Sequence, residues 1–464
     1  MRLIAALALV ACARTAVVAP PAAPTTSTAA PEAPDSGAMA LVRSLSDEAG
    51  PRLAGSRGDA LAVAWAERTM RAMGFTSVRA EPVRVPHWER GEERGAITEP
   101  FERPVVLTAL GGSVATPPEG VQAELVEVDS LEAIDALDPA RAAGRIVFVH
   151  RVMRAAEDGA GYGETVPVRV RAASRAARKG AAAVVIRSVG TGPQRIAHTG
   201  AMRYEDGVAR IPAAALSAPD ADAIHRLLAG GVAVRMRLQL GCRALPDADS
   251  ANVVGEVPAT RGDEGVVLLG AHLDSWDLGS GAIDDGAGAA IVLLAARAVR
   301  ERVAERRRSV RVVLFANEEN GLAGARAYAE AHRNELARHV VAAEADEGDG
   351  RVVSLGWAGD PAARPRFERL LRAVAPWGVR RDDEPAHGGA DISPLVPHGV
   401  PRLSFGQDMT RYFDHHHTVS DTPAVVDPRA LDQAVAVYTA ALTELVTMDG
   451  DFGRAPVPTP EAHR

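Results

Sequence analysis

The second half of the chain alternates short apolar runs with longer segments of helical character. The runs are rich in valine, leucine and alanine, as strands buried on both faces are. Strands are predicted at residues 266–269, 311–315, 340–344, 352–356 and 402–405. Helices are predicted at residues 286–307, 321–332, 366–374 and 430–447. This alternation predicts an α/β fold with a mixed, largely parallel sheet that carries helices on both faces.

The first hundred residues after the amino terminus have fewer regular signals. Residues 39–74 predict two helices around a glycine-containing loop at 50–58, and residues 75–85 predict a strand. Residues 88–104 are polar and are flanked by proline, which indicates a surface loop. A further strand is predicted at 105–110.

Residues 121–240 have a different pattern, in which short apolar runs flank one predicted helix at 170–179. The strands predicted there are 123–128, 146–149, 182–187 and 232–240. We interpret this part as a β-rich insert in a larger domain. The division is a signal at 1–12, a disordered tether at 13–37, a main domain at 38–118 and 247–449, the insert at 119–246, and a tail at 450–464. The acids of the insert form no constellation, so His150 and His198 are expected to be structural or exposed.

The amino terminus has the features of an export signal. Arg2 precedes an apolar run that is too short to span a bilayer, and LVAC at residues 9–12 resembles a bacterial lipobox. We expect an exported bacterial protein that is lipid-anchored in the cell envelope through Cys12. An ordinary signal, with a periplasmic or secreted product, is the alternative. Only Cys242 then remains, which excludes an internal disulfide and suits a small buried side chain.

The charge of the chain indicates which classes of partner it can bind. The formal net charge is -8, and the basic residues do not cluster. Both observations argue against a nucleic-acid partner. Membrane contact is expected only through the anchor at Cys12.

The richest set of candidate ligands lies just after the strand at 266–269. The stretch is GAHLDSWDLGSGAIDDGAG, residues 270–288, and a helix is predicted after it. Its titratable residues are His272, Asp274, Asp277, Asp284 and Asp285. Imidazole and carboxylate at the carboxyl end of a strand suit a divalent metal with mixed nitrogen and oxygen ligands. The alternatives are a solvated acidic turn or a nucleotide loop, in which two aspartates would repel phosphate.

Acidic or histidine-rich motifs also follow three other predicted strands. They are NEENG at 317–321, ADE at 345–347 and HHHTVSDT at 415–422. Each alone would more often be a surface feature. Paired carboxylates such as Glu318 and Glu319 repel unless cations or protons offset the repulsion, so one can bind metal while the other moves protons. Four such clusters at successive strand ends predict a single site.

Four motifs of the chain resemble, in the same order, those of the M28 co-catalytic zinc peptidases. They are GAHLDSWDLGSGAIDDGAG, NEENGLAGA, EADEG and HHHTVSDT. The closest likeness is to the carboxypeptidase Q (plasma glutamate carboxypeptidase-like) branch, which also has a stretch like GGADISPL at 388–395. That branch carries a protease-associated (PA) insert, which GRIV at 144–147 and the helix and strand after it resemble. The resemblance covers residues 39–447 and implies a zinc exopeptidase fold with a PA-like insert.

The resemblance implies two zinc ions, for which cobalt or manganese are candidate substitutes, and a role for each candidate residue. The implied ligands are His272, Asp284, Glu319, Asp346 and His417. Asp284 would bridge both metals, with His272 and Asp346 on one and Glu319 and His417 on the other. Only spacing separates Asp346 from Glu344 and His417 from His416.

Two acids are implied to act without binding metal. Glu318 would be the general base, and Asp274 would orient the imidazole of His272. Asp391, Tyr412 and His387 are candidates for substrate binding.

The expected reaction is hydrolysis of short peptides, with unblocked dipeptides as the expected substrates, by a metal-bridged hydroxide. The alternatives are a zinc deacylase or glutaminyl cyclase-like enzyme on the same fold, or a non-catalytic receptor-like module. Retention of all implied ligands argues against the module. A homodimer stays open.

Overall fold

The structure is a computed structural model that describes residues 37–457. The predicted signal, the lipidation site Cys12 and the tether up to residue 36 lie outside the described residues. Among the residues that the structure describes, no helix is both long and apolar enough to cross a membrane.

The described chain forms sixteen strands and ten α-helices. The strands are β1 (Thr76–Glu89), β2 (Glu93–Glu99), β3 (Arg103–Pro104), β4 (Leu107–Ala109), β5 (Val121–Val128), β6 (Ile146–Val149), β7 (Ala183–Arg187), β8 (Ala213–Leu216), β9 (Arg235–Leu240), β10 (Arg243–Val257), β11 (Val266–His272), β12 (Ser309–Phe315), β13 (His339–Glu344), β14 (Val352–Ala358), β15 (Arg380–Pro385) and β16 (Arg402–Gln407). The helices are α1 (Gly37–Ala49), α2 (Arg57–Ala72), α3 (Leu131–Ala136), α4 (Pro139–Ala142), α5 (Ala160–Arg178), α6 (Ala218–Ala229), α7 (Ala287–Arg302), α8 (Ala323–Ala331), α9 (Arg364–Val374) and α10 (Pro428–Thr447).

The first sheet has the strand order β1-β10-β12-β11-β13-β16-β14-β15. Its four central strands, β12, β11, β13 and β16, run parallel, and antiparallel pairs flank them. Alternate residues of β11 enter two different cores. Val267 and Leu269 pack with α7 and α10, while Leu268 packs with α8 on the other face. The predicted mixed α/β fold with helices on both faces is confirmed, because both faces of these strands are buried.

The second sheet has the strand order β3-β2-β9-β5-β6-β7-β8-β4. Strands β5, β6, β7 and β8 are parallel neighbours in it. This sheet spans residues 93–240, which we call the insert region. The insert region therefore begins at β2, whereas the sequence analysis placed the start of the insert at residue 119.

The prediction of a surface loop at 88–104 is wrong, because this segment contains strand β2. Ile97 is fully buried in the core of the insert region, and β2 pairs with β9 and β3. The other residues of β2 are mostly charged or small, so the sequence lacked the apolar alternation of a strand. Its charged side chains instead pair across the sheet, as Glu99 does with Arg235.

The helix predicted at 170–179 begins ten residues earlier, at Ala160. Gly161, Gly163 and Pro167 in its first half are poor helix formers, and they hid that half in the sequence. Helix α6 and strand β8 of the insert region, and strand β15 of the first sheet, were also not predicted. Cys242 is a free, buried thiol, as expected.

Candidate metal centre

The carboxyl ends of the four central parallel strands meet at one edge of the first sheet. His272 is the last residue of β11, Glu318 and Glu319 follow β12, Asp346 follows β13, and His417 lies in the loop after β16. Parallel strands present their carboxyl ends on the same side, where ligands bind in α/β proteins. Residues that are far apart in sequence therefore converge.

The carboxylate of Asp284 lies between two imidazoles. Its Oδ1 is 3.0 Å from Nε2 of His272, and its Oδ2 is 3.2 Å from Nε2 of His417. Each oxygen thus faces a different histidine. This is the arrangement that a carboxylate shared by two cations requires.

Hydrogen bonds to Asp421 hold the turn that precedes Asp284. Oδ1 of Asp421 accepts hydrogen bonds from the amide groups of Ala282 and Ile283, both at 2.7 Å. Asp421 is the aspartate of the HHHTVSDT motif, so that motif supports the turn as well as supplying histidines. Burial is the main reason that the pKa of Asp421 is raised to about 7.

One further carboxylate joins each histidine. Oδ1 of Asp346 is 3.3 Å from Nε2 of His272, and Oε2 of Glu319 is 3.0 Å from Nε2 of His417. The site therefore consists of two groups, each with one imidazole and one carboxylate, that share Asp284.

These donors fit two divalent cations. Asp284 and Glu319 are buried, and Oδ2 of Asp284 has no hydrogen-bond partner within the described chain. Burial, together with the charge of Asp284, raises the pKa of Glu319 to about 7. Burial alone would lower the pKa of His417, but the two carboxylates outweigh it and raise that pKa to about 9. A cation between the groups would offset the repulsion between the carboxylates of Asp284 and Glu319. Mixed nitrogen and oxygen ligation suits zinc.

Glu318 lies beside these groups and does not take part in either. Its backbone N–H donates to Oδ1 of Asp274 at 2.9 Å, while its carboxylate makes no hydrogen bond within the described residues. Burial, and then the charges of Asp346 and Glu319, raise the pKa of Glu318 well above its ordinary value. Its carboxylate is therefore available to take up a proton.

Asp274 holds the backbone of the NEENG motif rather than the imidazole of His272. Nδ1 of His272 donates to the main-chain carbonyl of Asp274 at 2.9 Å, whereas the carboxylate is 3.8 Å from that nitrogen. The geometry differs from our expectation because the chain turns directly after β11. The turn brings the carbonyl under the ring and directs the carboxylate towards Glu318.

Arg52, in the loop between α1 and α2, was not predicted to belong to the site. Its guanidinium is fully buried and donates to the carbonyl groups of Leu273 at 2.6 Å, Ser280 at 2.5 Å and Gly281 at 2.8 Å. It therefore braces both ends of the loop between His272 and Asp284. The only signal in the sequence was one arginine in a glycine-containing loop.

The insert region contacts the histidine loop, which we define as residues 412–418. The N–H of Thr199 donates to the carbonyl of His417 at 3.0 Å, and Nδ1 of His417 is 3.3 Å from the carbonyl of Thr199. Nδ1 of His198 donates to the carbonyl of His416 at 2.8 Å. A carbonyl at Nδ1 fixes the ring of a histidine whose Nε2 binds metal.

Thr191 anchors the other end of the histidine loop. Its N–H donates to the carbonyl of Phe413 at 3.0 Å, and its hydroxyl donates to Oδ1 of Asp414 at 2.7 Å. Arg169 adds a buried guanidinium, with Nη1 3.5 Å from Nδ1 of His417 and Nη2 2.8 Å from the hydroxyl of Tyr162. No pattern in the sequence indicated the contacts with the histidine loop, because they join segments more than 200 residues apart.

A model of peptidase family M28 matches residues 252–442. Carboxypeptidase Q of Homo sapiens is 35% identical over 406 residues, which cover 87% of this chain and 84% of that protein. This chain belongs to peptidase family M28.

Solved structures agree with this membership. The crystal structure of a peptidase M28 precursor from Shewanella amazonensis SB2B is 43% identical, with a TM-score of 0.88, and the match covers 91% of this chain and 95% of that one. BSAP, a zinc aminopeptidase from Bacillus subtilis, is 21% identical with a TM-score of 0.63 over 90% of this chain and 97% of its own, which shows a shared fold. The chain is a metallopeptidase, and its predicted likeness to carboxypeptidase Q is confirmed. The likeness of its insert to a PA domain stays a prediction.

In this M28 peptidase the three candidates for substrate binding lie in different surroundings. Asp391 is 1% exposed, and its backbone N–H donates to Oε2 of Glu344 at 2.9 Å. Tyr412 lines a cavity of about 410 Å³, and His387 lines one of about 140 Å³ together with Glu347 and Met409. Asp391 is too deeply buried to contact a substrate in this structure, whereas Tyr412 and His387 border open space.

Two neighbours competed with predicted ligands in the sequence. Glu344 has its Oε2 bonded to the Asp391 amide, and burial raises its pKa to about 8. His416 stacks on His417 with ring centroids 3.5 Å apart, and its Nε2 is 3.4 Å from Oδ2 of Asp284. Of the two histidines, only His417 has an ion-pair contact with Glu319 in the described structure.

Asp277, another acid of the 270–288 stretch, does not face the centre. Arg90 binds it with two hydrogen bonds, of 2.8 and 2.5 Å, and also donates to the carbonyl of Ala109 and the hydroxyl of Thr199. Arg90 thereby joins the 270–288 stretch to the insert region.

Proposed function

We propose that this M28 peptidase is a two-zinc exopeptidase that hydrolyses short peptides, with unblocked dipeptides as substrates. One observation carries the proposal, namely that the two oxygens of Asp284 face two separate imidazole and carboxylate groups. His272 and Asp346 would hold one zinc ion, Glu319 and His417 the other, and Asp284 both. The preference for short unblocked peptides rests on the resemblance to the carboxypeptidase Q branch.

When bound, the two ions would polarise the substrate carbonyl and lower the pKa of a water molecule between them. Glu318 would take a proton from the attacking water and deliver it to the leaving amine, as a general base and then an acid. Asp274 supports this step by holding the amide of Glu318 in place. Tyr412 and His387 would contact the substrate at the rim of the site.

The assignment of Glu318 is tested by Glu318→Gln, which keeps the size of the side chain and removes its basicity. We expect kcat to fall by about 10²–10⁴-fold while the zinc content stays unchanged. Glu305→Gln, in an exposed acid near the amino end of β12 and so at the opposite edge of the sheet, is the control and should keep full activity. Full activity of the Glu318 variant would refute the assignment.

The substrate class is tested by comparing dipeptides with their N-acetylated forms. Cleavage of only the free-amine set means that the amino terminus is read. Cleavage of both sets would contradict the preference for unblocked peptides and favour a carboxypeptidase or a deacylase. A measured content of one zinc ion would favour the cyclase-like alternative.

We also propose that the protein is exported and anchored through a lipid on Cys12. The support is the lipobox-like LVAC sequence. Incorporation of a fatty-acid probe that persists in Cys12→Ser would refute the anchor.

A further inference from the structure

The insert region contains a second cluster of imidazole and carboxylate groups, which shares no residue with the catalytic centre. Glu127 lies near the carboxyl end of β5, and His150 directly follows β6. Helix α6 places His225 beside them. β5 and β6 are adjacent and parallel, so the cluster occupies the edge of the second sheet that corresponds to the catalytic edge of the first.

The three side chains are close enough to share one ion. Oε1 of Glu127 is 2.7 Å from Nδ1 of His225, and the rings of His150 and His225 stack in parallel with centroids 4.2 Å apart. One ligand atom from each of the three residues lies within 4.8 Å of the others. Modest movements of side chains would bring these atoms to the separations found around a bound metal.

The surroundings favour an ordered site. Nε2 of His150 is 2.8 Å from Oδ1 of Asp222, and Nε of Arg187 donates to the same oxygen at 2.8 Å. Asp222 thus holds the His150 ring, and Arg187 balances the charge of Asp222. The side chains of His150 and Glu127 are 13% and 22% exposed and that of His225 is 44% exposed, so an ion can enter from solvent.

The catalytic centre provides an internal comparison. There too, imidazole nitrogens lie about 3 Å from carboxylate oxygens at the carboxyl ends of parallel strands. The second cluster has fewer acids and is more exposed, so its affinity should be lower. Two imidazoles and one carboxylate suit zinc, copper or nickel rather than calcium or magnesium, which prefer oxygen ligands.

We propose that Glu127, His150 and His225 bind one further divalent ion of the zinc, copper or nickel class. The bound ion ties α6 to the ends of β5 and β6. It has no part in peptide hydrolysis, because none of its ligands belongs to the catalytic centre.

The test measures bound zinc in the full-length protein after equilibrium dialysis against buffered zinc. We expect the parent to hold one more ion than His225→Ala and His150→Gln, and His398→Ala, in an exposed histidine elsewhere, to match the parent. Copper added to the zinc-loaded protein should give an electron paramagnetic resonance signal with coupling to two nitrogens, and His225→Ala should lose one of these couplings.

The comparison uses a difference between variants, so it does not depend on how many ions the catalytic centre holds. Equal zinc content in the parent and in both variants would overturn the proposal and leave the cluster as a set of ion pairs. The variants should keep the peptidase activity of the parent.

Discussion

The side chain of Asp284 lies between the two imidazole and carboxylate groups of the centre. One oxygen faces His272 and the other faces His417, and both contacts are buried. In the proposed two-zinc centre this carboxylate would have two roles, because it would balance the charge of both ions and set the distance between them. A ligand that belongs to one group, such as Asp346, would have only one of these roles.

We expect Asp284→Asn to impair both metal positions, because the amide lacks the charge and one of the two acceptor oxygens. The affinity for both zinc ions should fall by at least about 100-fold, and activity should be lost. Asp346→Asn is the matched variant and should weaken mainly the position next to His272. Zinc titration monitored by atomic emission measures the zinc affinities of both variants. An Asp284→Asn protein that binds two zinc ions like the parent would contradict the bridging role.

His339 is a buried imidazole that contacts no carboxylate within the described residues. Its Nδ1 donates to the carbonyl of Glu335 at 3.1 Å, and its Nε2 is 2.9 Å from the hydroxyl of Tyr328, which accepts from Arg311. Burial lowers the pKa of His339 to about 4. The neutral ring is therefore the form that the folded state accommodates.

The stability of the protein should fall in acid through this residue. The unfolded state takes up the proton near pH 6.5 and the folded state only near pH 4, so stability is lost as the pH falls between these values. The loss approaches about 3 kcal/mol below pH 4. His339→Gln should lack this dependence. Chemical unfolding of both proteins at pH 7 and pH 4.5 measures it, and parallel losses in the two would speak against it.

At the scale of elements, the centre is built by strand ends and by the loops that hold them. The insert loop, residues 191–199, makes backbone and side-chain hydrogen bonds to the histidine loop on both sides of His416. His417 has a φ of 61°, which a side chain other than glycine rarely adopts without support from its surroundings. The insert region thus supplies part of the support that keeps His417 aimed at Asp284.

Thr191→Val should loosen this support because it removes the hydrogen bond to Asp414 while keeping the shape of the side chain. We expect the affinity for the zinc ion next to Glu319 to fall by about tenfold. Thr191→Ser keeps the hydroxyl and should restore the affinity. Competition with a chromophoric chelator gives these affinities, and equal values in the valine and serine variants would exclude a role for the hydrogen bond.

Sequence reasoning succeeded for the central strands because they are apolar on both faces and end in polar motifs. Val266–His272 and Ser309–Phe315 differ from their predicted ranges by three residues or fewer at either end. It failed for β2, in which Ile97 is the one large apolar residue and the others are charged, polar or small. It also missed Arg52, Arg90 and Thr191, because a single polar residue in a loop has no pattern that reveals a partner far away in sequence.

At the scale of the molecule, metal binding should stabilise the folded chain. A ligand that binds only the folded state adds RT ln(1 + [L]/Kd) to its stability. The five proposed ligands of the catalytic centre are spread between residues 272 and 417, so the unfolded chain has no preformed site.

Zinc should therefore raise the thermal unfolding temperature. At a free zinc concentration of 100 times Kd, each site adds about 2.7 kcal/mol, and chelation should reverse the gain. Asp284→Asn is the control, because it should respond little to zinc. Calorimetry of both proteins with and without chelator measures the effect, and identical shifts would show that the ion acts elsewhere.

The spacing of these segments has a consequence for biosynthesis. The histidine loop follows the last strand of the first sheet, so synthesis reaches His417 only after the other ligands and the insert loop. A growing or prematurely terminated chain that lacks this loop can assemble at most one of the two imidazole and carboxylate groups. We therefore expect the chain to be inactive until translation has passed His417, the last of the proposed ligands.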